Sequence, residues 1–362
     1  MADTLVATGL RVQRWEDSFF KEYLTENRYS ESMGSDENSV IQVKEVLGKG
    51  KGDSTTIALV NRLQNQAVTG SNVLEGAEED MSSRSQRIYI DKRRNAVRIA
   101  EMEEIKSAID LRDAGRATLK DWAMKDTERL ITNQLLSVDG VRYEDASVAQ
   151  RDSWLRNNFD RVLYGQAVSN RGAVQATATY AAALAQIDNT NDKLTPQAVS
   201  LMKEIALTCD PKINPIRVEK TKGRRYYLLY ANTRAMRDLK TNASMMQAQR
   251  EVSLEVENNR LFEGGDLLWD GVIIKEVPDI GFYTSGIEVA PVFFCGAQSV
   301  AIAYGKRWRT ITKEFDYGDK YGIAIEGIMG VRKIQFGTGT ADTDTLKDNG
   351  VITGWFAAVP SA

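Results

Sequence analysis

Between Glu101 and Ser137, apolar residues return at Ile105, Ala108, Ile109, Leu119, Trp122, Ala123, Leu130, Ile131 and Leu135, close to the helical period. Lys106, Arg112, Arg116, Lys120 and Lys125 fall on the remaining face. The spacing predicts a single helix roughly 55 Å long at ~1.5 Å per residue. Glu101, Glu103 and Glu104 suit the positive end of its dipole, and Gly140 supplies a stop. Gly115 is its weak point, about 1 kcal/mol worse than alanine in a helix, and marks a place where it could bend. So long a helix without a sustained heptad reads as a strut lying across a sheet.

Upstream of this helix the pattern changes twice. Residues 1–45 carry Trp15, Phe19, Phe20 and Tyr23, mostly at helical spacing. Such a segment either covers its own domain or forms an arm whose aromatic face packs on a neighbouring subunit. Gly48, Gly50 and Gly52 then lead into a strand at 55–60. No phosphate-binding loop is formed there, because Gly-Lys-Ser/Thr is missing and no helix follows. Residues 64–85 are turn-rich and carry Glu75, Glu78, Glu79 and Asp80, and Gln86 to Ile99 returns as strand-like sequence. That return is basic, with Arg84, Arg87, Lys92, Arg93, Arg94 and Arg98. The excursion is a long hairpin with an acidic tip. An isolated hairpin is marginally stable, so its charges suit docking onto a neighbour, against the plainer reading of a solvated face. Nucleic-acid binding lacks stacking aromatics beyond Tyr89.

Downstream, helices are predicted around Val148–Leu163 and Ala173–Ile187. Thr195 caps a third, with Pro196 in its first position, running to Thr208. Residues 225–230 read as a buried strand, Thr233–Gln249 as a helix, and 267–274 as strand, turn and strand. Val292–Cys295 is an apolar run, followed by a short helix through Tyr304 and short strands punctuated by glycine from Trp308 to Phe336. A last strand covers Val351–Ala358. The class is α+β.

Composition narrows the chemistry. The 362 residues are 42% hydrophobic and 27% charged with a formal net charge of −3, which suits a folded chain and no general polyanion binder. No apolar run reaches the length of a membrane span, and the N-terminus has no signal-peptide architecture, so cytoplasmic synthesis is expected. Two distant cysteines, Cys209 and Cys295, make neither a disulfide framework nor a zinc ribbon. The absence of histidine removes the commonest general base and metal ligand. Asp266 and Asp270 read as turn residues, and Asp342, Asp344 and Asp348 lack the glycine and glutamate of a calcium loop. No catalytic, cofactor or metal site is expected.

Several collinear pieces resemble the major capsid proteins of tailed double-stranded DNA bacteriophages, and among them the N-four-type podovirus capsid family. These include Arg14-Trp15-Glu16 to Phe19-Phe20, Arg28-Tyr29-Ser30, Gly52-Asp53 and Leu74-Glu75-Gly76. Arg161-Val162-Leu163-Tyr164-Gly165, Tyr226-Tyr227-Leu228-Leu229, Asp270-Gly271-Val272-Ile273-Ile274, Gly296-Ala297-Gln298 and Phe315-Asp316-Tyr317-Gly318 continue the likeness in the same order.

The resemblance implies the Hong-Kong-97-like fold. Residues 1–45 would be the N-arm, 46–100 the extended E-loop with its flanking strands, and 101–194 the peripheral domain, with spine helix 101–137 and a family-specific elaboration. Residues 195–312 would form the axial domain, 313–340 return to the peripheral sheet, and 341–362 make the C-terminal segment. It also implies a non-enzymatic protein that self-assembles into hexamers and pentamers of an icosahedral shell around packaged DNA, without sequence-specific recognition. Portal, scaffolding and cement proteins would be further partners, and the protein would reside in the virion after assembly in the bacterial cytoplasm. The inter-subunit docking residues expected are Trp15, Phe19, Tyr23, Glu75, Glu78, Glu79, Asp80, Arg84, Arg87, Arg93 and Arg94. Two alternatives stand beside this reading: an encapsulin-type compartment shell, and a histidine-free enzyme using carboxylates within 216–335.

Overall fold

The computed structural model describes residues 27–45, 52–60, 67–70, 75, 78, 83–106, 111–166, 179–218, 224–251, 267–337 and 345–360. Two sheets organise them. The first has five strands in the order Met33–Gly34, Ile41–Lys44, Val300–Phe315, Lys320–Lys333 and Asp91–Ala100. Its centre is one long antiparallel hairpin paired from Val300↔Lys333 to Phe315↔Lys320. This replaces both the short helix expected through Tyr304 and the series of short strands expected after Trp308.

The helix fails because both sides of the segment are covered. Val300, Ile302 and Tyr304 enter the main core, while Ala301 and Ala303 pack with Ile88, Ile334 and Phe336. A strand buried on both faces reads as a continuous apolar run, which periodicity alone does not distinguish from a helix. The glycines mark close approaches, not breaks: a Cβ on Gly327 would press on the Trp308 ring, and one on Gly322 on the Phe315 ring.

The expected long helix is present as Glu101–Lys106 and Leu111–Leu135, with 107–110 between them outside the described residues. Leu119, Ala123, Thr127, Ile131 and Leu135 face the sheet, and Trp122 meets Trp308 edge-on at 5.8 Å. The apolar stripe does not extend to the first piece, where Ile105 is 71% exposed. The described helix runs unbroken through Gly115, which is buried. A Cβ there would meet Ile99, Val97 and Ile323 at 3.7–3.9 Å, an ordinary packing distance. Gly115→Ala is therefore expected to stabilise the subunit by about 0.5–1 kcal/mol, read from urea unfolding midpoints.

The second sheet runs Val162–Tyr164, Val351–Ala357, Ile287–Cys295, Arg224–Ala231, Val272–Glu276, Leu267–Trp269. Tyr283–Ser285 and Ile216–Val218 join at its sides. The chain crosses from this sheet to the first between Cys295 and Val300. The capped helix spans Pro196–Thr208, with Thr195 accepting from the Ala198 N–H. Asp270 (φ 48°) and Gly271 (φ 75°) form the turn between Leu267–Trp269 and Val272–Glu276. The predicted 233–249 helix is split into Thr233–Thr241 and Ala243–Glu251 at Asn242, whose side-chain oxygen Oδ1 accepts from the Ser244 N–H. The predicted 148–163 helix stops at Asn157, and its remainder includes the edge strand Val162–Tyr164. Of the 173–187 helix, Tyr180–Leu184 is helical, and 173–178 lie outside the described residues.

Residues 27–45 are built into the body. Tyr29 is fully buried, edge-on to Tyr230 at 4.9 Å, and its hydroxyl shares a hydrogen bond with Thr132. Lys275 pairs with Glu31, and Ile41–Lys44 runs parallel to Val300–Ala303.

Candidate functional site

The excursion is an antiparallel ladder from Ser54↔Tyr89 to Val60↔Ser83. The strand-like stretch 86–99 proves to be two strands divided at Ile90. Ser83–Tyr89 belongs to the hairpin, and Asp91–Ala100 to the five-stranded sheet. The hairpin's base is tightly seated. Ile88 is buried against Ala301, Ala303, Ile334 and Phe336. Gln86 donates to the Lys333 carbonyl at 2.9 Å and accepts from the Gln335 N–H at 3.0 Å.

This division separates the docking residues expected from sequence. Glu75 and Glu78 are exposed, while Glu79, Asp80, Trp15, Phe19 and Tyr23 lie outside the described residues. Arg84 and Arg87 are on the hairpin, half-buried and exposed respectively. Arg93 and Arg94 are on the sheet instead. Arg93 points at the long helix and makes a two-pronged pair with Asp126 at 2.5 and 2.6 Å, so its charge is used within the chain. Arg94 is exposed on the opposite face.

Beneath the hairpin base lies a buried polar knot that sequence reading did not find. Lys333 and Asp348 form an ion pair at 2.7 Å with both side chains 1% exposed. The Lys333 ammonium also donates to the Ser137 carbonyl at 2.7 Å, just past the end of the long helix. Gln335 donates to Asp348 at 2.6 Å. Asn158 accepts from the Asp348 N–H at 2.8 Å, and Arg161 donates to the Asp348 and Asp210 carbonyls. One cluster thus joins the hairpin base, the end of the long helix, the segment around Asn158–Arg161 and the strand Leu346–Asp348. Asp348, which the sequence does not place in a calcium loop, is held by a lysine. Among the described residues, no group of three or more Cys, Asp or Glu side chains could hold a metal ion. Cys209 and Cys295 are both buried, and burial pushes the Cys295 thiol up to about 12.

Asp139 borders the knot. Burial raises its pKa to about 6, repulsion from Asp348 adds to this, and Lys333 and Arg332 oppose it. Its carboxyl therefore binds a proton more tightly folded than unfolded, and stability falls as pH rises through about 4–6. Asp139 also has φ 49°, a conformation asparagine tolerates. Asp139→Asn is expected to exceed the parent in stability by about 1 kcal/mol at pH 7.5, discounted for its partial exposure. That advantage should shrink toward zero by about pH 4. Thermal melts of both proteins across that range check it.

No helix among the described residues is long and apolar enough to cross a membrane. A profile of the family described as phage capsid protein matches residues 3–358. The major capsid protein of Pseudomonas phage KPP25 is 27% identical over 95% of this chain and 94% of its own length. Among solved structures, the capsid asymmetric unit of cyanophage Pam1 matches with a TM-score of 0.79 and 29% identity, covering 94% of each chain. The capsid of Ralstonia phage GP4 shares the fold, with a TM-score of 0.72 and 24% identity over 93% of each chain. The α+β, Hong-Kong-97-like architecture implied by the sequence is thus the observed one, and the chain belongs to the phage capsid protein family.

Proposed function

We infer that this protein is a phage major capsid protein, a structural subunit that self-assembles into hexameric and pentameric capsomers of an icosahedral shell around double-stranded DNA. The observation that carries the reading is the family match across nearly the whole chain, joined to a fold whose hairpin projects from a firmly anchored base. Residues 1–45 serve as the arm, its part from 27 onward seated in the body, and 46–100 as the extended loop with its flanking strands, of which Asp91–Ala100 lies in the five-stranded sheet. The peripheral body is built on the five-stranded sheet and long helix, and the axial body on the eight-stranded sheet. The acidic turn around Glu75–Asp80, with Arg84, Arg87 and Arg94, supplies docking charges between subunits, and Trp15, Phe19 and Tyr23 supply an apolar counterpart. The subunit needs no catalytic group. Portal, scaffolding and cement proteins and packaged DNA are its further partners, with assembly in the host cytoplasm.

Negative-stain electron microscopy of the purified protein tests this. Closed shells or capsomer sheets are expected. A discrete small oligomer under all assembly conditions would overturn the reading, and shells that package protein cargo in place of DNA would favour a compartment.

A further inference from the structure

The chain carries another projecting ribbon, and it is basic. Ile216–Val218 runs antiparallel to the start of Arg224–Ala231, in the register Ile216↔Tyr226, Arg217↔Arg225 and Val218↔Arg224. Tyr227 is the first residue of the longer strand to pair with Val272–Glu276. Arg224–Tyr226 therefore overhang the eight-stranded sheet, paired among the described residues with Ile216–Val218 alone. The overhang is about 10 Å at ~3.3 Å per residue. From Lys212 to Arg225 the sequence holds six cations and one acid, Glu219, in a chain whose net charge is −3.

The base of this ribbon is fixed. Ile216 and Tyr226 are buried in the main core. The Arg217 N–H donates to Asn38 Oδ1 at 2.7 Å, and the Arg217 carbonyl accepts from Asn38 Nδ2 at 2.5 Å, so the Asn38 side chain stands in for a further strand. The charges it carries are left over. Arg217, Arg224 and Arg225 are exposed, and none makes a side-chain hydrogen bond or ion pair among the described residues. Arg217 and Arg225 are directly opposed and share a side of the ribbon, where like charges repel. Arg224, opposite Val218, lies on the other side. Asp36 and Glu37, just before Asn38, are exposed and form no ion pair with these arginines. Lys203, beside Gly271 where the ribbon leaves the sheet, is already paired with Asp270 at 2.6 Å.

We propose that Arg217, Arg224 and Arg225 on this ribbon grip the phosphate backbone of the packaged duplex DNA. The proposal rests on the capsid reading and assigns a surface to its DNA partner. The opposed arginine pair burdens the free subunit with a repulsion that a multiply charged anion removes. Cations on both faces of a two-stranded ribbon suit phosphates on either side of a DNA groove, whose width admits such a ribbon. An acidic side chain of a second copy would satisfy one face and leave the other. Contacts of this kind hold charge and position and read no sequence. They weaken steeply with salt, because the displaced counterions return.

The test is binding of a fluorescent random-sequence DNA duplex to the full-length dissociated subunit, read by anisotropy across a salt series. Arg217→Gln/Arg224→Gln/Arg225→Gln alters exposed positions, and its circular dichroism melt should match or exceed the parent's once the repulsion is gone. Its Kd is expected to rise at least ~10-fold at low salt, and the slope of log Kd on log salt to fall by about 2–3, one phosphate contact per arginine. Arg98→Gln/Lys125→Gln/Arg129→Gln removes three exposed cations elsewhere and should change neither value appreciably. A parent that binds no duplex at low salt would overturn the assignment, as would a ribbon variant that binds like the parent. Equal weakening by the second variant would show a general charge effect and overturn it too. Unchanged DNA binding with lost shell yield would assign the ribbon to contacts between copies instead. Failure of the unaltered protein to form shells would sink the capsid reading, while the anisotropy result would still decide whether the ribbon grips phosphate.

Discussion

Replacing Asp348 with alanine is expected to cost the folded subunit about 3–5 kcal/mol, because it leaves the Lys333 ammonium buried without its counter-ion. Both side chains are almost wholly buried, and a water entering the vacated space would supply hydrogen bonds but no opposite charge. The Ser137 carbonyl still accepts from Lys333, and Trp154 lies 5.2 Å from the ammonium, but neither carries a compensating charge. The Gln335 amide loses its acceptor at the same time. Urea unfolding of the dissociated subunit measures the loss. Lys333→Met combined with Asp348→Leu should be less damaging than Asp348→Ala, since removing both charges removes the desolvation cost along with the attraction. A double variant as unstable as the single one would show that the hydrogen-bonded neighbours, and not the ion pair, dominate this site.

Features encoded by neighbouring residues were legible in the sequence; those encoded by distant ones were not. Thr195-Pro196 is a complete helix-start signal within two residues, and Asp270-Gly271 is a complete turn signal. The long helix announced itself because its buried face recurs locally. The knot has no such signature. Gln86, Ser137, the Asn158–Arg161 turn, Lys333 and Asp348 come from five separate segments, and a charge in an apolar run is a weak hint until its partner is known. Glycine misled for a physical reason. Gly322, Gly327 and Gly330 resemble turn punctuation, yet each lies in the strand Lys320–Lys333, where the missing side chain lets something else come near. The expected docking residues were scattered because Ile90 divides one basic stretch between a hairpin and a sheet. Arg93 and Arg94 lie on the same strand and face opposite sides because successive side chains alternate along it.

Gly330→Ala should do the opposite of Gly115→Ala although the chemical change is the same. At Gly115 the new methyl has room beside Ile99, Val97 and Ile323. At Gly330 it would overlap the Tyr89 carbonyl oxygen and crowd Ile88, which are backbone and core and cannot swing aside. Relief requires the hairpin base to lift. That strains the Gln86 bonds to Lys333 and Gln335 and draws Ile88 out of its pocket. The expected cost is about 1–3 kcal/mol, as for overpacking, concentrated in the hairpin. Limited proteolysis should cut the variant faster near 60–83 while the strands of the eight-stranded sheet remain protected in hydrogen exchange. On the proposed role of the hairpin in docking between subunits, shell assembly should fail even where the subunit stays folded. Assembly at the parent level, with unchanged proteolysis, would mean the sheet yields at Gly330 and the hairpin does not need this seat.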